Sequence, residues 1–321
     1  MLLEIRHMAQ YHYAAPVRES VIELWVQPQK GGRQRLISFE LEIDPSVQMF
    51  SYADAFANAV YHFDVPQPHE LLTIQARSAV ETDPLEPLPD GLDLGEWDRL
   101  NSDFLRGDCF DYLNPHGFAR ATPALDAFVL SHDLDQARAH DPLTAVRMVC
   151  ETLHRALDYQ HGAAKADYPI DLALAAQQGV CQDFAHVMIA ICRSWGIPAR
   201  YVSGYLLADP TQGDRSDPGV THAWVEVFLP SLRWVGFDPT NNVLAGERYV
   251  VIASGRDYSD APPSRGVYKG EADSALTVSV SVRQARHAAS EPEFMRTARP
   301  AFSGPIRRKT ASLSQQMQQQ Q

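Results

Sequence analysis

Gly179-Val180-Cys181-Gln182-Asp183-Phe184-Ala185-His186 opens the most apolar helical stretch of the chain. Apolar residues recur at Phe184, Val187, Met188, Ile191, Cys192 and Trp195, the i, i+3, i+4, i+7 spacing of a helix face. Ile189 and Ala190 widen the stripe, so the helix is expected to be buried on most sides. Gly196 and Pro198 form a stop signal, and Gly179 marks the turn in front. Cys181 therefore falls at or near the first helical position. Unpaired N–H groups and the positive end of the helix dipole favour a thiolate there.

Two strand-like stretches follow. Thr221-His222-Ala223-Trp224-Val225-Glu226-Val227-Phe228 puts His222, Trp224, Glu226 and Phe228 on one face. Arg233-Trp234-Val235-Gly236-Phe237-Asp238-Pro239-Thr240 puts Trp234, Gly236 and Asp238 on one face. A three-residue loop centred on Pro230 pairs 226 with 234, 224 with 236 and 222 with 238. His222 and Asp238 are then expected as a directly opposed pair, suited to an imidazole–carboxylate hydrogen bond. Cys, His and Asp in that order are the material of a thiol nucleophile, its base and the group that orients the base. The oxyanion hole is expected to use the Cys181 backbone N–H and a second, unidentified donor. Cys109, Cys150 and Cys192 read as core residues and His186 as structural.

These motifs resemble the bacterial branch of the transglutaminase-like superfamily, whose core is related to papain-like cysteine proteases. The resemblance rests on the three stretches above, on Trp195-Gly-Ile-Pro-Ala-Arg-Tyr-Val-Ser-Gly-Tyr205, on Gly255-Arg-Asp-Tyr-Ser-Asp260 and on Pro263-Ser-Arg-Gly-Val-Tyr268. It covers roughly residues 1–284. It implies an α+β fold, with an N-terminal β-sandwich-like domain and a nucleophile helix packed on an antiparallel sheet. It also implies Cys181 as nucleophile, His222 as base and Asp238 as orienting carboxylate. Gln182 stands where protein-crosslinking members carry Trp, so amide hydrolysis and acyl transfer to a small amine both stay open. Gln182, Asp257, Tyr258 and Arg265 are the candidate substrate contacts. The substrate expected is a peptide or protein amide, with a primary amine as a further acceptor. A noncatalytic peptide-binding module of the same fold is the alternative.

The expected domains are a β-rich unit at 1–82, a linker and connecting segment at 83–123, a catalytic core at 124–284 and a disordered tail at 285–321. Turns at Gly31-Gly32, Asp44-Pro45 and Pro66–Pro68 punctuate the first unit, and Asp83–Gly91 reads as a stiff linker. Asp141 and Pro142 read as the start of a helix reaching Ala156. The polar loop 208–220, lying between Cys181 and His222, reads as a lid or as an ordinary mobile loop. The net charge is −12 over 321 residues. From Arg283 onward seven basic and two acidic side chains leave the tail at +5 and the rest at −17. An acidic body argues against nucleic acid as the partner. No run approaches the length of a membrane span, and the early charges of Met1–His7 do not suit a signal peptide. The four cysteines include no Cys-x-x-Cys pair, so a reducing cytoplasm is expected and no metal or cofactor is.

Overall fold

A computed structural model of the protein describes residues 1–161 and 169–285. The tail expected to be disordered lies, from residue 286 on, outside the described residues. The chain starts with β1 (Leu2–Leu24). Its first half buries Leu3, Ile5, His7 and Ala9 and turns the residues between them outward, the period of two that seats one face of a strand in a core. Next come β2 (Gln34–Asp44), β3 (Met49–Ala53), β4 (Ala59–Val65) and β5 (His69–Thr82). They join one sheet in the order β2-β5-β1-β4-β3. The ladder between β1 and β5 breaks register between His12 and Val17, and from Ser20 β1 pairs with β4. The apolar faces close on a cluster that includes Val17, Ile22, Leu24, Phe63, Leu72 and Ile74. β1 thus serves both halves of the sheet as one long strand. The sequence carries no sign of β3, because all of Met49–Ala53 is exposed and shows no apolar alternation.

The linker leads into three short helices, α1 (Glu96–Leu100), α2 (Asp103–Asp108) and α3 (Phe110–Leu113). Then come α4 (Pro123–Ser131) and α5 (Pro142–Ala156). The Asp141 carboxylate caps α5, accepting from the N–H groups of Leu143 at 3.0 Å and Thr144 at 3.2 Å. β6 (Asp158–Tyr159) pairs in parallel with β7 (Gln178–Gly179), with α6 (Ile170–Ala176) between them. β7 hands the chain to α7 (Cys181–Ser194). Gly196 ends this helix at φ +78°, and the Ile197 N–H reaches back to the Cys192 carbonyl at 3.0 Å.

Behind α7 stands an antiparallel sheet of β8 (Ala199–Leu206), β9 (His222–Leu229), β10 (Arg233–Asp238), β11 (Val243–Leu244) and β12 (Tyr249–Gly255), in the order β11-β10-β9-β8-β12. Phe184, Val187, Met188 and Ile191 of α7 join Tyr201, Val225 and Val227 of the sheet in one buried cluster. The last strands, β13 (Ser264–Lys269) and β14 (Ser274–Gln284), correct the expected domain boundary. Both pair with β1, β14 along Leu3–Tyr13 and β13 farther on, so residues 264–284 complete the N-terminal sheet. Alternation at Val278, Val280 and Val282 marks a strand but carries no information about which sheet it joins.

The two units are bonded together along β12, the edge of the five-stranded sheet. The Val251 N–H donates to Gln34 Oε1 at 2.8 Å, and Gln34 Nε2 donates to the Val251 carbonyl at 2.9 Å. Asn58 makes the same paired contact with Ser254, at 2.8 Å in each direction. Side-chain amides thus occupy backbone groups that an open edge would offer to another strand.

Candidate active site

Cys181 is the first residue of α7 and is nearly buried, at 8% exposure. The turn before it is held by the Asp183 side chain, which accepts the Val180 N–H at 2.8 Å. Burial outweighs that bond and raises the Asp183 carboxyl to about 6. His222 is the first residue of β9 and lies opposite Gly204 of β8. A Cβ at Gly204 would come within 2.1 Å of the Val250 carbonyl oxygen and 2.4 Å of the Trp224 ring. Glycine is therefore what lets the Trp224 indole pack beside the histidine, where the two rings stack with centroids 6.2 Å apart.

Asp238 is the last residue of β10, and its carboxylate accepts from His222 Nε2 at 2.7 Å. The pair forms in a register other than the one expected. Arg233 pairs with Leu229, Trp234 with Phe228 and Gly236 with Glu226, so the strands are offset by two residues. The loop is three residues long as expected, but it spans 230–232. The Leu232 N–H bonds the Leu229 carbonyl at 2.9 Å, and Arg233 takes the left-handed conformation at φ 65°. An offset of two preserves the face of every residue, so His222 and Asp238 meet diagonally.

Asp238 is fully buried, and donors surround it. Tyr249 Oη and Asn241 Nδ2 each donate to Oδ2 at 2.8 Å, while the N–H groups of Thr240 and Asn241 donate to Oδ1 at 2.9 and 3.2 Å. Burial favours the neutral acid, but His222 and these donors outweigh it and hold the carboxyl below its usual range. Burial likewise opposes charge on His222. The Asp238 carboxylate and the Cys181 thiol beside the ring outweigh it and raise the imidazole to about 10. With Nε2 donating to Asp238, Nδ1 is left for the thiol.

The loop expected as a lid is pinned. The Asp214 carboxylate pairs with Arg248 at 2.6 Å and accepts the Asp209 N–H at 2.7 Å. Asn241 Oδ1 accepts the N–H of Arg215 at 2.7 Å, and Asn241 Nδ2 donates to Ser216 Oγ at 2.8 Å as well as to Asp238. The Val280 N–H of β14 bonds the Gly219 carbonyl at 2.7 Å. Asn241 and Tyr249 are site residues that sequence reasoning missed. Their signal was their place just after Asp238 and at the start of the next long strand.

The four candidate substrate contacts lie on α7, in the loop after β12 and on β13. Gln182 is half-buried in the first turn of α7. Asp257 is fully buried, and its oxygens accept from His116, Phe118 N–H and Ser259, which serves the fold. The neighbouring Tyr258 N–H donates to His186 Nε2 at 3.2 Å. Arg265 sits on β13 of the N-terminal sheet, paired with Glu23 at 2.7 Å and lying over Trp25. Among the described residues, His116, Asp257 and Asp260 place ligand-type atoms within 4.8 Å of one another. Arg256 occupies both oxygens of Asp260, at 2.8 and 3.0 Å, so these carboxylates already have partners. Cys109, Cys150 and Cys192 are buried and unpaired; burial raises all three thiols, Cys192 to about 12.

Residues 133–239 match the transglutaminase-like superfamily core, and residues 3–81 match the bacterial transglutaminase-like N-terminal region. An uncharacterized protein of Mycobacterium tuberculosis is 33% identical over 293 residues, covering 87% of this chain and 91% of the relative. A protein-glutamine gamma-glutamyltransferase of Pseudomonas aeruginosa is 31% identical over 175 residues, 49% of this chain and 24% of that protein. Among solved structures, a candidate cysteine protease from Cytophaga hutchinsonii superposes with a TM-score of 0.67 at 20% identity, covering 89% of this chain and 92% of that one. At that identity the likeness is one of fold. By sequence, by fold and by the order of its site residues, the chain belongs to the transglutaminase-like superfamily.

Proposed function

We propose that the protein is a thiol enzyme acting on peptide or carboxamide bonds through a thioester on Cys181. The observation that carries this is the buried His222–Asp238 pair, at 2.7 Å, set beside a cysteine at a helix start. The Cys181 thiolate adds to the carbonyl carbon, forming the S–C bond as the C=O π pair moves onto oxygen. Collapse of that intermediate breaks the C–N bond, and the leaving amine takes its proton from the His222 imidazolium. Water or a primary amine, deprotonated by His222, then displaces the thiol, giving an acid or a new amide. The raised imidazole suits the first half of this cycle, because the proton needed by the leaving amine is already in place. The partners proposed are a peptide or protein amide and a primary amine, with the acidic net charge arguing against nucleic acid. Four unpaired cysteines favour a reducing compartment such as the cytoplasm. Among the described residues no helix is long and apolar enough to cross a membrane.

The test is intact-mass analysis after mixing with glutamine-containing peptides, with and without a primary amine. Wild-type protein is expected to gain the mass of the acyl group, and Cys181→Ala is expected to gain none. An acid product in the absence of amine marks hydrolysis, and an amide product in its presence marks transfer. If the wild type binds peptide but forms neither an acyl-enzyme nor a product, the thiol enzyme is refuted and a binding module remains.

A further inference from the structure

We propose that the Tyr201 hydroxyl is the second donor of the oxyanion hole, acting with the backbone N–H of Cys181. The assignment rests on the thiol-enzyme function above and names the group that stabilises its intermediate. Tyr201 lies on β8 with its side chain toward α7. Ala199, Tyr201 and Tyr205 join the cluster around that helix, whereas Val202 and Leu206 join the cluster on the other face. The Tyr201 ring is stacked on the His186 imidazole, with centroids 5.1 Å apart and planes 26° apart. It meets the Tyr258 ring edge-on at 6.2 Å. His186 also stacks on Phe118, at 5.4 Å. These contacts fix the ring, which is 1% exposed.

The hydroxyl is a different matter. Among the described residues no hydrogen bond reaches it. Also among the described residues, Thr240 Oγ1 is the one side-chain polar atom that is both sealed from solvent and unpartnered. The Tyr201 oxygen, equally unpartnered, therefore keeps an edge open to solvent. The ring it belongs to lies against His186, one turn into α7 from Cys181, and Cys181 is the charged neighbour that acts on it most. A buried ring held on its faces, with its one polar atom unpartnered among the described residues, is a donor waiting for an acceptor. The N–H of Cys181, at the first position of α7, has no partner within the helix. Burial and the adjacent Cys181 hold the phenol well above its usual range, so it stays protonated and able to donate. When thiolate attack moves the carbonyl π pair onto oxygen, the Tyr201 O–H and the Cys181 N–H are positioned to receive that charge.

Tyr159 is the rival donor. It also feels Cys181, but it is only half-buried, and its hydroxyl already accepts the Asp217 N–H at 3.5 Å. The experiment compares two reactions of Cys181. Acylation by p-nitrophenyl acetate passes through a tetrahedral oxyanion; alkylation by iodoacetamide does not. Tyr201→Phe keeps the ring and removes one O–H. It is expected to slow acylation about 100-fold, the scale of losing one oxyanion-hole donor. Alkylation should stay within about twofold of wild type, since it depends only on the thiolate. Tyr159→Phe should leave acylation within a few-fold. Replacing Tyr201 by 3-fluorotyrosine, whose O–H is the stronger donor, should preserve or raise the acylation rate, an effect that does not depend on Tyr201→Phe folding. Equal acylation by wild type and Tyr201→Phe overturns the assignment, as does a larger loss in Tyr159→Phe. If wild-type protein is alkylated but never acylated, the thiol-enzyme function itself fails, and the oxyanion hole with it.

Discussion

Five hydrogen bonds reach the two oxygens of Asp238, two of them from backbone N–H groups and three from His222, Asn241 and Tyr249 side chains. A carboxylate satisfies all five because both of its oxygens accept. An asparagine at 238 must turn its NH2 toward one set of donors. If the backbone N–H groups keep the amide oxygen, the NH2 faces His222 Nε2 and forces that nitrogen to accept. Nδ1 then carries the proton and cannot take one from the thiol. Asp238→Asn is therefore expected to fold and to lower the acylation rate by roughly 10⁴-fold, by the logic of an orienting carboxylate replaced by its amide. Acylation followed by intact mass checks this, and a loss smaller than tenfold would show that His222 does not need its partner's charge.

Asn241 links two elements, the end of the β9–β10 hairpin and the 208–220 loop. Its Nδ2 touches both Ser216 Oγ and Asp238, and its Oδ1 accepts the Arg215 N–H. The hairpin alone fixes the face of Asp238; Asn241 couples its position to the loop. Asn241→Ala leaves the half-buried Arg215 N–H and the buried Ser216 groups short of partners, which costs roughly 1–3 kcal/mol. The expected outcome is a lower unfolding midpoint together with faster proteolysis between Ala208 and Val220. Unchanged cleavage kinetics in that loop, by mass spectrometry of the fragments, would show that Arg248 and β14 hold it without Asn241.

At the scale of the whole molecule, three buried histidines set opposite pH limits on stability. His222 is raised to about 10, so its contribution is complete below its unfolded value of about 6.5 and is lost as pH climbs through about 10. Burial lowers His7 and His186 to about 4. The unfolded chain binds those protons first, so their contribution is complete above about 6.5 and is lost as pH falls toward 4. His7 sits between the two units, its Nδ1 3.0 Å from the Tyr205 hydroxyl, which also donates to the Val26 carbonyl at 3.3 Å. His7→Phe is expected to flatten the acid limb of a melting-temperature profile, and His222→Gln the alkaline limb between about 7 and 10. A wild-type alkaline slope retained in His222→Gln would place the titration elsewhere. Much of this molecule was legible before its fold was known. The α7 stripe, its Gly196 stop, the Asp141 cap and the shared face of His222 and Asp238 are local periodicities and end signals, and short sequence determines them. The hairpin offset was not legible, because a strand repeats every two residues and a slip of two leaves every face unchanged. Nor was the return of 264–284 to β1, the burial of Asp257 under the His116 turn, or the unpartnered hydroxyl of Tyr201. Each depends on which distant segments meet, and only long-range packing decides that.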